Sequence, residues 1–160
     1  MVKTEILSVS DLIFFDTKPI LEIKIDYPQI QGFMPDRAEK RINSFFENDA
    51  KRQNRTARTV LAVKAKEAYL YSRENAFPFH LWSYLQTVEE TFSGRDKWSL
   101  YADRYVYSGG AHGDTIRRGF TFSLKTGRRL SLSEVCPVGQ KEILASVVQE
   151  IRRSEEGIYF

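Results

Sequence analysis

The chain has 160 residues, of which 42% are hydrophobic and 13% aromatic, and its formal net charge is +3 with a pI near 9.0. This length and apolar content exclude a disordered chain and predict a single α+β domain over residues 1–160, which divides at most into two small subdomains, 1–76 and 77–160. The charge is smaller than a dedicated nucleic-acid-binding domain carries. The single cysteine, Cys136, excludes an intrachain disulfide and a cysteine-based zinc cluster.

The beginning of the chain, MVKTEILSVSDLIFF, carries two acidic residues and has no apolar run long enough for a signal peptide. No other stretch approaches the roughly 20 apolar residues that a membrane helix requires. We therefore expect a cytoplasmic location for the chain as written, and an extracytoplasmic one if it is a piece of an exported protein.

The first half of the chain predicts two strands followed by helices. Alternating apolar residues place strands at 4–15 and 20–27, and the segment YPQIQG that follows is interpreted as a connection. A helix begins at Pro35-Asp36, and a second helical stripe covers residues 57–68. The basic run KRQNRTAR between them, residues 51–58, is interpreted as a solvated helix face or a loop that joins two helices.

The second half predicts an antiparallel meander. Strands at 79–92, at 98–107 and from Ile116 onward alternate between an apolar and a polar face, and the last two meet at the glycine-rich loop SGGAHGD, residues 108–114. A tight turn at Thr126-Gly127 leads into a third short strand. Beyond it we expect Ser133 to cap a short turn and an amphipathic helix at residues 140–153. The resulting fold class is α+β, an antiparallel meander sheet with helices packed on one face.

The glycine-rich loop holds the only pair of residues with catalytic potential. His112 lies beside Asp114, but a hydrolytic metal site needs three protein ligands, and His80 is the one other histidine. The neighbouring Glu89 and Glu90 point to opposite faces of a strand, which prevents them from acting as an acid/base pair. No GxSxG elbow, HExxH helix or phosphate loop is present. We therefore expect no metal and no cofactor, and we keep a metal-dependent hydrolase using His112, Asp114 and His80 as the alternative.

The favoured hypothesis is a non-catalytic binding surface. It combines the glycine-rich loop, whose glycines let a ligand approach the backbone, with exposed tyrosines of the preceding strand, because tyrosine is a favoured interface anchor. The predicted binding residues are Gly109, Gly110, His112, Gly113, Asp114, Tyr101, Tyr105 and Tyr107.

A weaker hypothesis is nucleic-acid binding through clustered cations. The residues concerned are Lys51, Arg52, Arg55, Arg58, Arg117 and Arg128. The run at 51–58 lacks the interleaved aromatic residues on which single-strand binders stack bases, so we predict no nucleic-acid partner. A steep loss of affinity with salt would distinguish this function from the others.

Two segments carry a resemblance to a known family. YSGGAHG at residues 107–113, followed by a strand, the Thr126-Gly127 turn and LSLSEV at 130–135, resembles the sheet-forming domain shared by the extracytoplasmic part of the RsiV anti-sigma factor and the non-catalytic region of PdaC-type peptidoglycan deacetylases. An upstream set agrees. It consists of Tyr27-Pro28-Gln29-Ile30, Gly32 and Ile42-Asn43.

The resemblance implies a recognition module that senses the cell envelope. The anti-sigma relative is a lysozyme receptor, and the deacetylase relative carries its chemistry in a separate domain, so the implied partner is a lysozyme-like protein or another envelope component. The family continues into further strands after the helix that ends here near Arg153, and members carry a signal or a membrane anchor. We expect these last strands to be lacking, and an open sheet edge that favours a homodimer.

Overall fold

The computed structural model describes residues 2–32, 34–136 and 138–153. It divides the chain into two compact units, Met1–Arg129 and Leu130–Phe160. The elements of the first unit are β1 (Lys3–Phe15), β2 (Lys18–Gln31), α1 (Asp36–Thr56), a π-helical turn (Ala57–Leu61), α2 (Ala62–Glu74), β3 (Trp82–Ser93), β4 (Lys97–Tyr107) and β5 (Asp114–Ser123). The second unit contains α3 (Leu132–Val135) and α4 (Gln140–Arg153).

The first unit is a five-stranded sheet with the helices on one side. The strands follow chain order from β1 to β5, so β1 and β5 form the two edges. Neighbouring strands are antiparallel except β2 and β3, which are parallel over Leu21–Ile25 and Trp82–Gln86. The helical crossover between them returns the chain to the same end of the sheet, as a parallel pair requires. The predicted α+β class and the placement of helices on one face are confirmed.

The core consists of two apolar clusters between the sheet and the helix. Around the middle of β2, small helix residues such as Ala50, Ala57 and Ala65 are fully buried and let the helix backbone approach the strand. At the other end, Phe46 lies edge-on to Trp98, and their ring centroids are 5.9 Å apart. The members of this second cluster are Ile30, Ile42, Phe46, Trp98, Leu100, Phe122 and Leu124.

The basic run forms the first of the two structures predicted for it, a solvated helix face. Residues 51–58 are helical and mostly exposed, because the chain is helical from Asp36 to Glu74 and contains no glycine or proline in that interval. The π-helical turn occurs at Ala57–Leu61. Buried positions recur on both sides of Ala57, at Ala50, Gln53 and Ala65, so one continuous face stays against the sheet.

Three predictions are corrected. The segment YPQIQG is not a connection, because β2 extends to Gln31 and pairs with β1 along its whole length. The predicted third strand is reduced to an isolated bridge between Phe122 and Arg129. Within the second unit, Ser131 rather than Ser133 caps α3, in a capping box where the Ser131 N–H donates to Glu134 at 2.8 Å.

The Thr126-Gly127 turn forms as predicted and touches the helix. Gly127 has φ +65°, and its N–H donates to the Ser123 carbonyl at 2.7 Å. A Cβ at Gly127 would lie 2.5 Å from the Ala38 carbonyl oxygen and 2.8 Å from its Cα. Glycine therefore lets the turn lie directly on the first turn of α1.

Candidate functional site

The predicted tyrosines lie on the sheet surface that faces away from the helices. Trp98, Leu100 and Ala102 of β4 are buried under α1, and the side chains that alternate with them point to the opposite surface. We call this surface the tyrosine face. It is formed by Tyr101, Asp103, Tyr105 and Tyr107 of β4, Glu89 of β3 and Arg117 of β5.

A charged network orders one end of the tyrosine face. Asp103 and Arg117 are directly opposite in the β4–β5 register, and Arg117 donates from Nε and Nη2 to the Asp103 carboxylate at 2.8 and 2.7 Å. The same guanidinium lies 3.9 Å above the centre of the Tyr101 ring. The Tyr101 hydroxyl donates to Glu89 on the other side. Three strands are therefore joined across this surface by side chains.

The network shifts the pKa values of its members. The hydrogen bonds from Arg117 lower the pKa of Asp103, and the same bonds raise the pKa of Arg117. The hydrogen bond to Glu89 raises the pKa of Tyr101. Asp103 thus stays ionised, and Tyr101 stays a neutral donor, throughout the neutral pH range.

The glycine-rich loop closes over the other end of the tyrosine face. The Tyr107 hydroxyl donates to the Gly110 carbonyl at 3.0 Å. Gly109 and Gly110 have φ +87° and +98°, conformations that favour glycine. A Cβ at Gly113 would lie 2.6 Å from the Tyr105 ring, so this glycine allows the loop to contact the ring. The tyrosines predicted to be exposed are therefore half-buried, because the loop and Arg117 cover parts of their rings.

His112 and Asp114 lie near each other in the chain, at the end of the glycine-rich loop and the start of β5. The exposed His112 ring contacts the carbonyl of its own neighbour Gly113, with Nδ1 at 3.4 Å. Asp114 begins β5 and is paired in register with Val106. His80 is exposed ahead of β3. Within residues 2–32, 34–136 and 138–153, no group of three His, Cys, Asp or Glu side chains is arranged to hold a metal ion.

The sequence analysis named the tyrosines but not the side chains that contact them. It considered Arg117 for a nucleic-acid surface and Glu89 for an acid/base pair, and it connected neither with Tyr101. The signal that identifies the network is the strand register, which places Asp103 opposite Arg117 and Glu89 opposite Tyr101. That register depends on the length of the loop between β4 and β5, which periodicity alone does not give.

Four cations of the weaker nucleic-acid hypothesis are engaged with carboxylates. Lys51 pairs with Glu47 and Arg52 with Asp49, each within one turn of α1. The other two pairs are Arg58 with Asp11 and Arg117 with Asp103. Four of the six cations named in that hypothesis thus have a carboxylate beside them.

Across the described part of the chain, no helix combines the length and the apolar character needed to cross a membrane.

Comparison with known proteins identifies a family. The sequence model of the family described as Deacetylase PdaC matches residues 16–115, a stretch that begins at the β1–β2 turn and ends in β5. A comparison with curated proteins gave no significant match.

Two solved structures share the fold. One is a DUF3298 family protein from Pseudomonas aeruginosa PAO1, with a TM-score of 0.58 and 18% identity over 96% of this chain and 66% of that protein. The other is a DUF3298 family member from Bacteroides fragilis NCTC 9343, with a TM-score of 0.62 and 14% identity over 99% of this chain and 70% of that protein. The present chain thus spans about two thirds of the length of each.

Proposed function

The chain belongs to the Deacetylase PdaC family, and we propose that it serves as a non-catalytic recognition module for a protein partner of the bacterial cell envelope. The binding surface is the tyrosine face together with the loop Gly109–Asp114. The partner class follows the family resemblance, which points to a lysozyme-like protein or another envelope component.

The observation that carries this proposal is the ordered contact of Arg117 with both Tyr101 and Asp103. Arginine and tyrosine are the side chains most enriched at the energetic centres of protein interfaces. Here the arginine is already held by two hydrogen bonds and by the aromatic ring, so little rotamer freedom remains to be lost on binding. Tyr105 and Tyr107 extend the same surface toward the loop, and strands β3 to β5 provide rigid support.

The family description names a deacetylase, and an activity of that type is the competing function. It would need a base, an activated water and a stabiliser for the oxyanion, in most cases organised by a metal ion. The residues that sequence reasoning reserved for this role are His112, Asp114 and His80, and two features favour binding instead. Among the described residues, the hydrogen-bond contact of His112 is to the backbone of its own loop, and Asp114 is part of a strand pair.

Calorimetric titration with purified lysozyme tests the proposal, with solubilised peptidoglycan titrated separately as the non-protein envelope component. We expect saturable binding of lysozyme and an affinity about tenfold or more lower for Tyr101→Ala and for Arg117→Ala, since both remove a central anchor. The matched control is Tyr71→Ala, which removes an exposed tyrosine from α2 on the helix side of the sheet. The control variant should bind as the unmodified chain does.

Acetate release from N-acetylated peptidoglycan, with and without added divalent metal, tests the competing function. Turnover that is lost in a His112→Ala and Asp114→Ala double variant would overturn the proposal in favour of the hydrolase. Equal affinity of the Tyr101→Ala and Tyr71→Ala variants for lysozyme would contradict the assignment of the tyrosine face. Binding of peptidoglycan in place of lysozyme would replace the protein partner by a glycan one.

A further inference from the structure

A polar cleft lies on the opposite side of the sheet, between α1 and strands β3 to β5. It encloses about 150 Å³ and is separate from the tyrosine face, because its strand residues alternate with those of that face. The side chains that form it are Asp49, Arg52, Gln53, Thr56, Tyr84, Arg104 and Arg118. Three of these seven are arginines and one is an acid, so the cleft is positively charged.

A chain of hydrogen bonds fixes the floor of the cleft. The buried Tyr84 hydroxyl donates to Gln53 Oε1 at 2.9 Å and accepts from Arg104 Nη1 at 3.3 Å. Gln53 Nε2 donates to Asp49 Oδ2 at 2.6 Å, and Arg52 pairs with Asp49 Oδ1. Both carboxylate oxygens of Asp49 therefore already have donors, and these donors are side chains of α1. The one acid of the cleft is thus paired within the helix.

The two sheet arginines are close together without a carboxylate. Arg118 is opposite Ala102 in the β4–β5 register, so Arg104 and Arg118 are diagonal neighbours on the same face of adjacent strands. Among the described residues, neither forms an ion pair. Arg104 is half-buried, and its guanidinium lies 5.9 Å from the Tyr84 ring centre. Two like charges at this spacing repel each other unless an anion lies between them.

We propose that this cleft binds a small oxyanion, the carboxylate or phosphate group of a ligand, between Arg104 and Arg118. Guanidinium groups offer several N–H donors in a plane that matches such oxygens, and Arg104 uses one of its donors on Tyr84. Arg52, whose side chain is 73% exposed and paired with Asp49, lies at the mouth of the cleft. The adjoining space toward Val88 and Ile116 encloses only about 10 Å³, so the ligand enters from the solvent side and inserts its anionic group alone.

Thermal unfolding of the whole chain in increasing sodium phosphate or sodium acetate tests the site, with ionic strength held constant by sodium chloride. A ligand that binds only the folded state raises the Tm with a saturable dependence on its concentration. We expect such a rise with at least one of the two anions. The anion with the lower apparent Kd shows whether the site prefers a phosphate or a carboxylate group. In Arg118→Gln we expect the apparent Kd to increase by about tenfold or more, since a charge-assisted hydrogen bond is lost.

Two variants separate anion binding from general charge and from misfolding. Arg95→Gln removes the same charge from the exposed turn between β3 and β4, at the far end of β4, and should leave the anion response unchanged. Arg104→Lys keeps the charge and loses the planar donors, so its response should be weaker than that of the unmodified chain. The proposal is overturned if neither anion raises the Tm beyond chloride, or if Arg95→Gln and Arg118→Gln reduce the response equally.

Discussion

The side chain of Asn43 binds the backbone of Ile30 as a neighbouring strand would. Its Oδ1 accepts from the Ile30 N–H at 2.8 Å, and its Nδ2 donates to the Ile30 carbonyl at 2.9 Å. The parallel pairing of β2 with β3 ends at Ile25, so within the described residues no strand pairs with this side of β2 beyond that point. Asn43, presented by α1, supplies the missing donor and acceptor. This contact joins two separate sequence segments, around Ile30 and around Asn43, on which the family resemblance was based.

Replacing Asn43 by alanine should therefore destabilise the fold more than most alanine substitutions in a helix do. Asn43→Ala leaves an N–H and a carbonyl of Ile30 without their partner, and Ile30 is buried. We expect the free energy of unfolding to fall by about 1–3 kcal/mol, measured by urea denaturation. Asn48→Ala is the control, because Asn48 is exposed on the same helix. A loss no larger than that of the control would show that water replaces the contact without cost.

Substitution by alanine should destabilise the chain at Gly127 and have little effect at Gly119. At Gly127 the new Cβ would lie 2.5 Å from the Ala38 carbonyl oxygen, a backbone atom that cannot move without displacing α1. At Gly119, in β5, nothing lies within 4 Å of the new Cβ. We expect Gly127→Ala to cost about 2 kcal/mol or more and Gly119→Ala to stay within about 0.5 kcal/mol of the unmodified chain, both measured by thermal and urea unfolding. Similar stabilities of the two variants would contradict the close contact between the turn and the helix.

The hydroxyl of Tyr84 should contribute more to the free energy of unfolding than the hydroxyl of an exposed tyrosine does. Tyr84→Phe removes the donor to the buried Gln53 amide and the acceptor for Arg104, so both lose a partner. We expect a loss of about 1–3 kcal/mol in the free energy of unfolding. Tyr71→Phe, whose side chain is largely exposed on α2, should change it by less than about 0.5 kcal/mol. If Tyr84→Phe is as stable as Tyr71→Phe, the hydrogen-bond chain beneath the cleft contributes nothing to stability.

The features that the sequence predicts are those with a local cause. The alternation along β4 and β5, the turn at Gly127 and the apolar stripe of α1 follow from periodicity and from residue preferences over a few positions. The helix at Gln140–Arg153 has the predicted bounds for the same reason. In these cases neighbouring residues determine the structure.

The features that were missed depend on partners distant in the chain. Periodicity does not indicate that β2 and β3 pair in parallel, nor that β2 continues beyond Tyr27, because its last residues are stabilised by β1 and Asn43. Likewise Asp103 and Arg117 are 14 residues apart, and only the register of β4 with β5 brings them together. The candidate site was therefore predicted as a set of side chains, while the contacts that order it came from tertiary structure.

The ion pair between Asp103 and Arg117 should be visible in a titration. Because the two hydrogen bonds from Arg117 lower the pKa of Asp103 in the folded chain, the pair contributes stability above the ordinary pKa of aspartate, and this contribution is lost as the pH falls through the lowered value. We expect Arg117→Gln to raise the pKa of Asp103 toward its ordinary value, as measured by carbon-13 NMR of the carboxyl groups. Arg118→Gln is the matched control, since Arg118 occupies the next position of β5 and points to the opposite face.

The prediction is contradicted if Arg118→Gln raises the pKa of Asp103 as much as Arg117→Gln does. The shift would then come from the general positive charge of β5 rather than from the paired side chains. In that case Arg117 would not be held in place before binding, and the tyrosine face would lose the preorganisation on which its proposed role in partner recognition depends.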